Sequence, residues 1–184
     1  MTPAIMPGNW NCADSSRNYG RGNTAIDEPP QHCSMNEITW VCKFFDQQTL
    51  RELYAILRLR NEVFVVEQQC PYQDADRKDF YSWHLMGYRE EDLIAYTRLI
   101  PKGVSYEEAS IGRVVTSPVV RRTGCGKILM QKSIEQLYEL FSPQPIHIGA
   151  QLYLKKFYEG FGFKEIGAVY LEDGIEHIEM IRPV

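Results

Sequence analysis

Between Val114 and Lys127 the chain reads Val-Val-Thr-Ser-Pro-Val-Val-Arg-Arg-Thr-Gly-Cys-Gly-Lys. A β-branched run ends at Ser117-Pro118, a short basic loop with two glycines follows, and an amphipathic helical pattern begins after it. Strand, loop and helix N-terminus in that order build an anion site. The first N–H groups of a helix lack intrahelical acceptors, and the macrodipole places partial positive charge there. Gly124 and Gly126 let the backbone approach a ligand with no Cβ in the way. Arg121, Arg122 and Lys127 add cationic donors at the same spot. The spacing Arg121-x-x-Gly124-x-Gly126 matches neither the Walker A loop nor the G-x-G-x-x-G dinucleotide fingerprint.

Residues able to move protons lie elsewhere. Glu67 belongs to an irregular acidic stretch with Asp74, Asp76 and Asp79. Such acids could draw in a cationic amine or form a solvated face. Arg60 sits near a helix end, where it could pair with one of these acids or bind a substrate carboxylate. His84, between Trp83 and Leu85 in a strand pattern, and His177, which alternates with Ile175 and Glu179, carry the side chain that titrates nearest neutrality. Each could be a base or a structurally satisfied histidine.

The elements that must position these groups follow from periodicity. Ile38 to Phe45 alternates like a strand, and Thr49 with Glu52 forms a capping box ahead of Leu50, Leu53, Tyr54 and Leu57 at helical spacing. That helix runs to about Asn61 or Phe64, and the stretch to Asp79 has little periodicity. Strands follow at about Tyr81–Tyr88 and Leu93–Ile100, joined by a polar connector of hairpin length, with a third at about Ser110–Thr116. Met130, Ile134, Leu137 and Phe141 mark a helix face that Ser142-Pro143 ends. Ile146–Ala150 is a short buried strand, Tyr153–Tyr158 is helical, and Phe163–Tyr170 pairs with Ile175–Ile181 across an Asp173-Gly174 turn. The order β-α-(α)-β-β-β-α-β-α-β-β describes an α/β sheet with antiparallel pairs and helices on both faces.

At 184 residues the chain holds one domain. Residues 1 to about 35 are rich in Pro, Gly, Asn and Ser and are expected to form a flexible tail, with the folded domain at 36–184. No apolar run reaches the ~20 residues of a membrane span. A formal charge of −4 gives no electrostatic reason to expect nucleic acid or an anionic membrane. Five scattered cysteines without a C-x-x-C pair suggest reduced thiols rather than disulfides, nothing calls for a metal, and a cytoplasmic setting is expected. Met1–Gly8 has no positive or apolar region of the signal-peptide kind.

Arg121-x-x-Gly124-x-Gly126 after a strand and a proline resembles the pyrophosphate loop of the GNAT acyltransferases. Phe157-Tyr158-Glu159-Gly160-Phe161-Gly162-Phe163 is similar to a second GNAT signature at the right distance. Within that superfamily, Val63-Phe64-Val65-Val66-Glu67-Gln68, Cys70-Pro71-Tyr72, Gly149-Ala150-Gln151 and Glu172-Asp173-Gly174-Ile175 resemble the ElaA-type acetyltransferases over about Met35 to Val184.

The resemblance implies a mixed, mostly antiparallel sheet of about six to seven strands. It implies an N-acetyltransferase that moves the acetyl group of acetyl-CoA to a primary amine of a small molecule or peptide. Main-chain groups of Val114, Val115 and Thr116 would hold the acyl carbonyl and pantetheine arm. Arg121, Arg122, Thr123, Gly124, Cys125, Gly126 and Lys127 would cradle the pyrophosphate. Tyr158 would protonate the departing thiolate, with Glu67 or His84 as candidate bases and Arg60, Gln151 and His177 toward the acceptor. An exposed strand edge could support a homodimer. The Arg60…Glu67…Asp76…Asp79 pattern also resembles acyl-homoserine-lactone synthases, and a CoA-binding regulatory module without catalysis is a third reading.

Overall fold

A computed structural model describes residues 38–184; the expected tail, residues 1 to about 35, lies outside them. Seven strands form one sheet in the order β1-β2-β3-β4-β5-β7-β6. They are β1 (Thr39–Phe44), β2 (Trp83–Arg89), β3 (Asp92–Ile100), β4 (Ala109–Thr116), β5 (Ile146–Gln151), β6 (Lys164–Glu172) and β7 (Ile175–Arg182). Every pairing is antiparallel except β4 with β5. That parallel ladder contains two residue pairs, Ala109↔Ile146 and Ser110↔His147, and then stops. Beyond it the strands part, and a cleft opens between the ends of β4 and β5.

The helices are α1 (Leu50–Arg60), α2 (Cys125–Phe141) and α3 (Lys155–Glu159). The Thr49 capping box forms as expected: Thr49 Oγ1 accepts from the Glu52 N–H at 3.2 Å, and Glu52 accepts from the Thr49 N–H at 2.8 Å. Glu52 also bonds Lys43 Nζ at 2.7 Å, tying α1 to β1.

The buried apolar stripe of α1, Ile56 and Leu59, continues in Val63 of the next turn and is set against Met86, Tyr96 and Val115. Leu50 and Tyr54, which share helical spacing with Leu53 and Leu57, lie 86% and 72% exposed. The helix is apolar on two faces, so spacing identifies the helix without choosing the face. α2 covers the opposite side of the sheet, with Met130, Ile134 and Leu137 on Leu85, Leu99, Ile111, Ile146 and Ile148.

Three local departures shape the cleft. α1 continues into a π-helical turn, Asn61–Glu67, where the periodicity fades. β4 carries a bulge: its register with β3 moves from Arg98↔Gly112 to Tyr96↔Val115, so Arg113 and Val114 share one partner position. Arg113 there takes φ 51°. Gly124 adopts φ 92° at the start of α2, the left-handed conformation that glycine enters without strain.

Candidate active site

The parting of β4 and β5 leads to a cavity of about 160 Å³ lined by Val114, Gly149, Gln151, Tyr158, Glu172 and His177 among others. Four of the residues expected at the site, Val114, Gln151, Tyr158 and His177, meet there. The π-helical turn and the residue after it roof the cavity through Phe64 and Gln68, and Gln68 and Gln151 exchange side-chain amide hydrogen bonds at 3.3 and 3.5 Å. The Cys70 thiol donates to the Asp173 carbonyl at 3.5 Å.

Tyr158 is 7% exposed, on α3 beneath the cavity. Its ring meets Phe157 and Phe163 edge-on, at 5.1 and 6.0 Å between centroids. Burial, and after it Tyr153, push its phenol well above the usual tyrosine range. The hydroxyl therefore stays protonated throughout the neutral range, as a proton donor rather than a base. His177 Nδ1 lies 2.9 Å from the Ile175 carbonyl. A carbonyl can only accept, so Nδ1 bears the proton and the neutral ring presents Nε2 as a lone pair.

The glycine loop closes the other end of β4. Val115 is buried against α1, and Thr116 pairs with Ala95. Pro118–Val120 makes a 3₁₀ turn, and Thr123 Oγ1 donates to the Val120 carbonyl at 2.7 Å. Arg122 (φ 63°), Gly124 and Lys127 are exposed, whereas Cys125 is buried in the core. A Cβ placed on Gly124 or Gly126 would meet nothing within 4 Å. The main chain at Gly124 and Gly126 is thus open where a side chain would stand, and a helix start with exposed Arg122 and Lys127 beside it fits a pyrophosphate group.

The other expected residues sit apart from the cavity. Arg60, 1% exposed, bonds Asp74 Oδ2 at 2.8 Å and Asp79 Oδ1 at 2.7 Å. Arg98 pairs with Asp76 at 2.7 Å and Asp79 at 3.0 Å, and Arg113 reaches Asp74 at 2.8 Å. The three aspartates, expected either to draw in a cationic amine or to form a solvated face, are instead met by three arginines, and Arg60 is occupied within the protein. His84, 1% exposed, lies between the Tyr96 hydroxyl at 2.8 Å and the Asp79 carbonyl at 3.0 Å. Burial holds its pKa below the ordinary histidine value, and it does not line the cavity. Glu67 is bidentate to Arg121, Oε1–Nη1 and Oε2–Nη2 both 2.7 Å, and the guanidinium pulls its carboxyl down. That pair joins the roof segment to the glycine loop.

Sequence reasoning passed over Arg113, whose bulge turns it toward the cavity, and Tyr106 and Tyr170. A Cβ on Gly149 would lie 3.1 Å from the hydroxyl of each of these tyrosines. Tyr170 had a signal, since it alternates with Glu172 as His177 does with Glu179. Tyr106 lies in a connection and had none.

Residues 43–182 match the acetyltransferase (GNAT) domain. This chain belongs to the GNAT acetyltransferase family. Within it the chain is of the ElaA type: protein ElaA of Escherichia coli K12 is 40% identical over 149 residues, 80% of this chain and 97% of that one. The crystal structure of Escherichia coli ElaA superposes with a TM-score of 0.74 at 39% identity, over 79% of this chain and 99% of its own. An acyl-CoA N-acyltransferase from Pseudomonas aeruginosa gives 0.75 at 43% identity over the same shares. The α/β GNAT fold expected from the sequence is the fold observed, and the family membership makes acyl transfer the activity class. Among the described residues no helix is long and apolar enough to cross a membrane.

Proposed function

We propose that the chain transfers the acetyl group of acetyl-CoA to a primary amine of a small molecule or peptide, by direct attack within a ternary complex. The observation that carries this reading is the continuity of the site. The parted edge of β4 lines the Tyr158 cavity through Ile111–Val114, and the same strand runs on through the 3₁₀ turn to the open start of α2.

The chemistry needs few groups. CoA is a cosubstrate, its pyrophosphate held by N–H groups of residues 122–127 and its thioester laid along β4. Past Ser110 the main chain of β4 has no ladder partner on the β5 side, so its N–H groups there are available to a carbonyl oxygen. As the amine nitrogen attacks, that oxygen gains charge and a fixed N–H stabilises it. The C–S bond then breaks and the thiolate takes its proton from the Tyr158 hydroxyl. The attacking nitrogen loses its proton to His177 Nε2, directly or through water. Glu67 and His84 serve less well as bases, one held in an ion pair and the other buried with both ring nitrogens engaged.

Thermal unfolding with acetyl-CoA, CoA or S-adenosylmethionine tests the reading. A ligand at about 100 times its dissociation constant adds about 2.7 kcal/mol. Stabilisation by both CoA species is expected, followed by thiol release with amines. Stabilisation by S-adenosylmethionine alone would replace the reading with a lactone-synthase one.

A further inference from the structure

The face that carries the cleft extends beyond Tyr158 along β5, β7 and β6. Strand alternation puts His147, Gly149 and Gln151 on one side of β5, and the register sets Glu179 beside Gly149 and His177 beside Gln151. On β6, Tyr170 lies opposite His177, and Glu172 follows two residues later on the same side. Tyr106 comes from the connection before β4 and stacks on His147, 3.7 Å between centroids and 10° from parallel. Its hydroxyl converges with that of Tyr170 over Gly149, which leaves them room because it has no Cβ.

This face has negative charge, and among the described residues no arginine or lysine pairs with Glu172 or Glu179. Among the described residues Glu172 has no ion pair, and Glu179 approaches only His147. Burial, then Tyr170, Glu179 and Glu172 in turn, push the Tyr106 phenol up to about 12, which places both carboxylates within electrostatic reach of it. Arg113, the cation beside the cavity, already bonds Asp74 and Asp76.

His147 is 8% exposed, and its Nδ1 lies 3.2 Å from Glu108 Oε2. The carboxylate accepts, so in the neutral ring Nδ1 holds the proton and Nε2 is a lone pair. That Nε2 is buried without a hydrogen-bond partner and faces Glu179 Oε2 at 3.6 Å. In that neutral ring, Nε2 and the Glu179 carboxylate are two acceptors facing each other. The Glu179 side chain remains 42% exposed, open to a donor from the cleft.

We infer that this face is a cation subsite, in which Glu172 and Glu179 with the phenols of Tyr106 and Tyr170 hold an ammonium group remote from the one that is acylated. The preferred acceptor is then an amine that carries a second positive charge a few carbons away, a diamine or polyamine rather than a monoamine. The carboxylates supply charge, and the phenol oxygens and ring faces supply hydrogen bonds and cation–π contact. The inference rests on the acyl-CoA reading, because it takes the cleft as the acceptor site.

The test is calorimetric titration of the CoA-loaded protein with diaminopentane and with pentylamine, repeated for Glu179→Gln and Glu172→Gln, with CoA titrated alone as a control. Diaminopentane is expected to bind at least about tenfold more tightly than pentylamine, a difference of about 1.4 kcal/mol, and either substitution should bring the two amines to within about threefold. Equal affinities for the two amines in the unaltered protein would overturn the subsite while leaving the acyl-CoA reading intact. Discrimination that survives both substitutions would overturn the assignment to these carboxylates. Failure to bind CoA would remove the underlying reading instead. Thermal unfolding of each variant confirms that it is folded, since Gln keeps the size of Glu.

Discussion

Two clusters of acids and aromatics lie on this sheet, and they differ in how their charge is met. On the α1 side, Asp74, Asp76 and Asp79 face Arg60, Arg98 and Arg113, with Tyr96 and His84 packed among them. Across the cleft, Glu172 and Glu179 stand beside Tyr106, Tyr170 and His177 without an arginine or lysine among the described ion pairs. The first cluster is the richer in titratable groups, yet each of its carboxylates is met by a guanidinium. The second keeps a net field and reachable acceptor atoms. What marks a binding face here is uncompensated charge, not the number of charged residues.

The largest effect should come from breaking compensation in the first cluster. Arg60→Ala would leave Asp79 and Asp74 short of a partner in a site where Arg60 itself is 1% exposed. Removing one partner of a buried pair costs about 3–5 kcal/mol. Urea unfolding should show a loss of that size, whereas Glu179→Gln should stay within about 0.5 kcal/mol of the parent. A small loss for Arg60→Ala would mean that the network is not the scaffold its geometry describes.

Within the cleft, Tyr158→Phe separates chemistry from packing. The ring stays against Phe157 and Phe163 and only the hydroxyl is removed. Loss of a positioned acid costs roughly a hundredfold in turnover. We expect kcat for acetyl transfer to fall by about that much with CoA affinity and unfolding midpoint unchanged. Unchanged turnover would leave Tyr158 as a packing residue and the thiolate to solvent.

The legible parts of the molecule are those encoded by near neighbours. The Thr49–Glu52 box, the turn at Asp173-Gly174, the α2 stripe and the glycine loop each occupy a few consecutive residues, and each formed where the pattern put it. Three of the four expected cavity residues, Val114, Gln151 and Tyr158, were legible through the two motifs and the strand end between them. Partnership was not legible. Asp76 meets Arg98 at a separation of 22 residues and Asp74 meets Arg113 at 39, contacts that no local pattern specifies. The same holds for the bulge at Arg113, which depends on β3 lying alongside. Glu67 and His84 looked available because their partners, Arg121 and Tyr96, are distant in sequence.

Acid should cost stability through the first cluster, whose aspartates are held ionised by arginines. Burial opposes the Asp76 carboxylate, but Arg98 and Arg113 outweigh it and draw its pKa from 3.8 to about 2 in the folded protein. A depressed folded pKa means that the unfolded chain binds the proton more readily. The stabilisation is complete above about pH 4 and is lost as pH falls through about 2, on the order of 2 kcal/mol for this group. Asp76→Asn should flatten that limb of the stability–pH profile. An unaltered acid limb would show that Asp76 is not paired as described.

The smallest effect belongs to the pair that bridges the two sides. Glu67 and Arg121 bond at 2.7 Å, but their side chains are 43% and 38% exposed, so solvent screens them. Glu67→Gln should change stability by less than about 0.5 kcal/mol. Its readout is CoA binding. Arg121 must trade a carboxylate for a phosphate when the pyrophosphate enters, and an amide competes less. Affinity for CoA should then rise about twofold at low salt, the equivalent of that same half kilocalorie, and the gain should vanish near molar salt as screening removes the competition. Weaker CoA binding would reverse the assignment: Glu67 would hold Arg121 in place for the phosphate, and the roof segment would belong to the donor site as well as to the acceptor's.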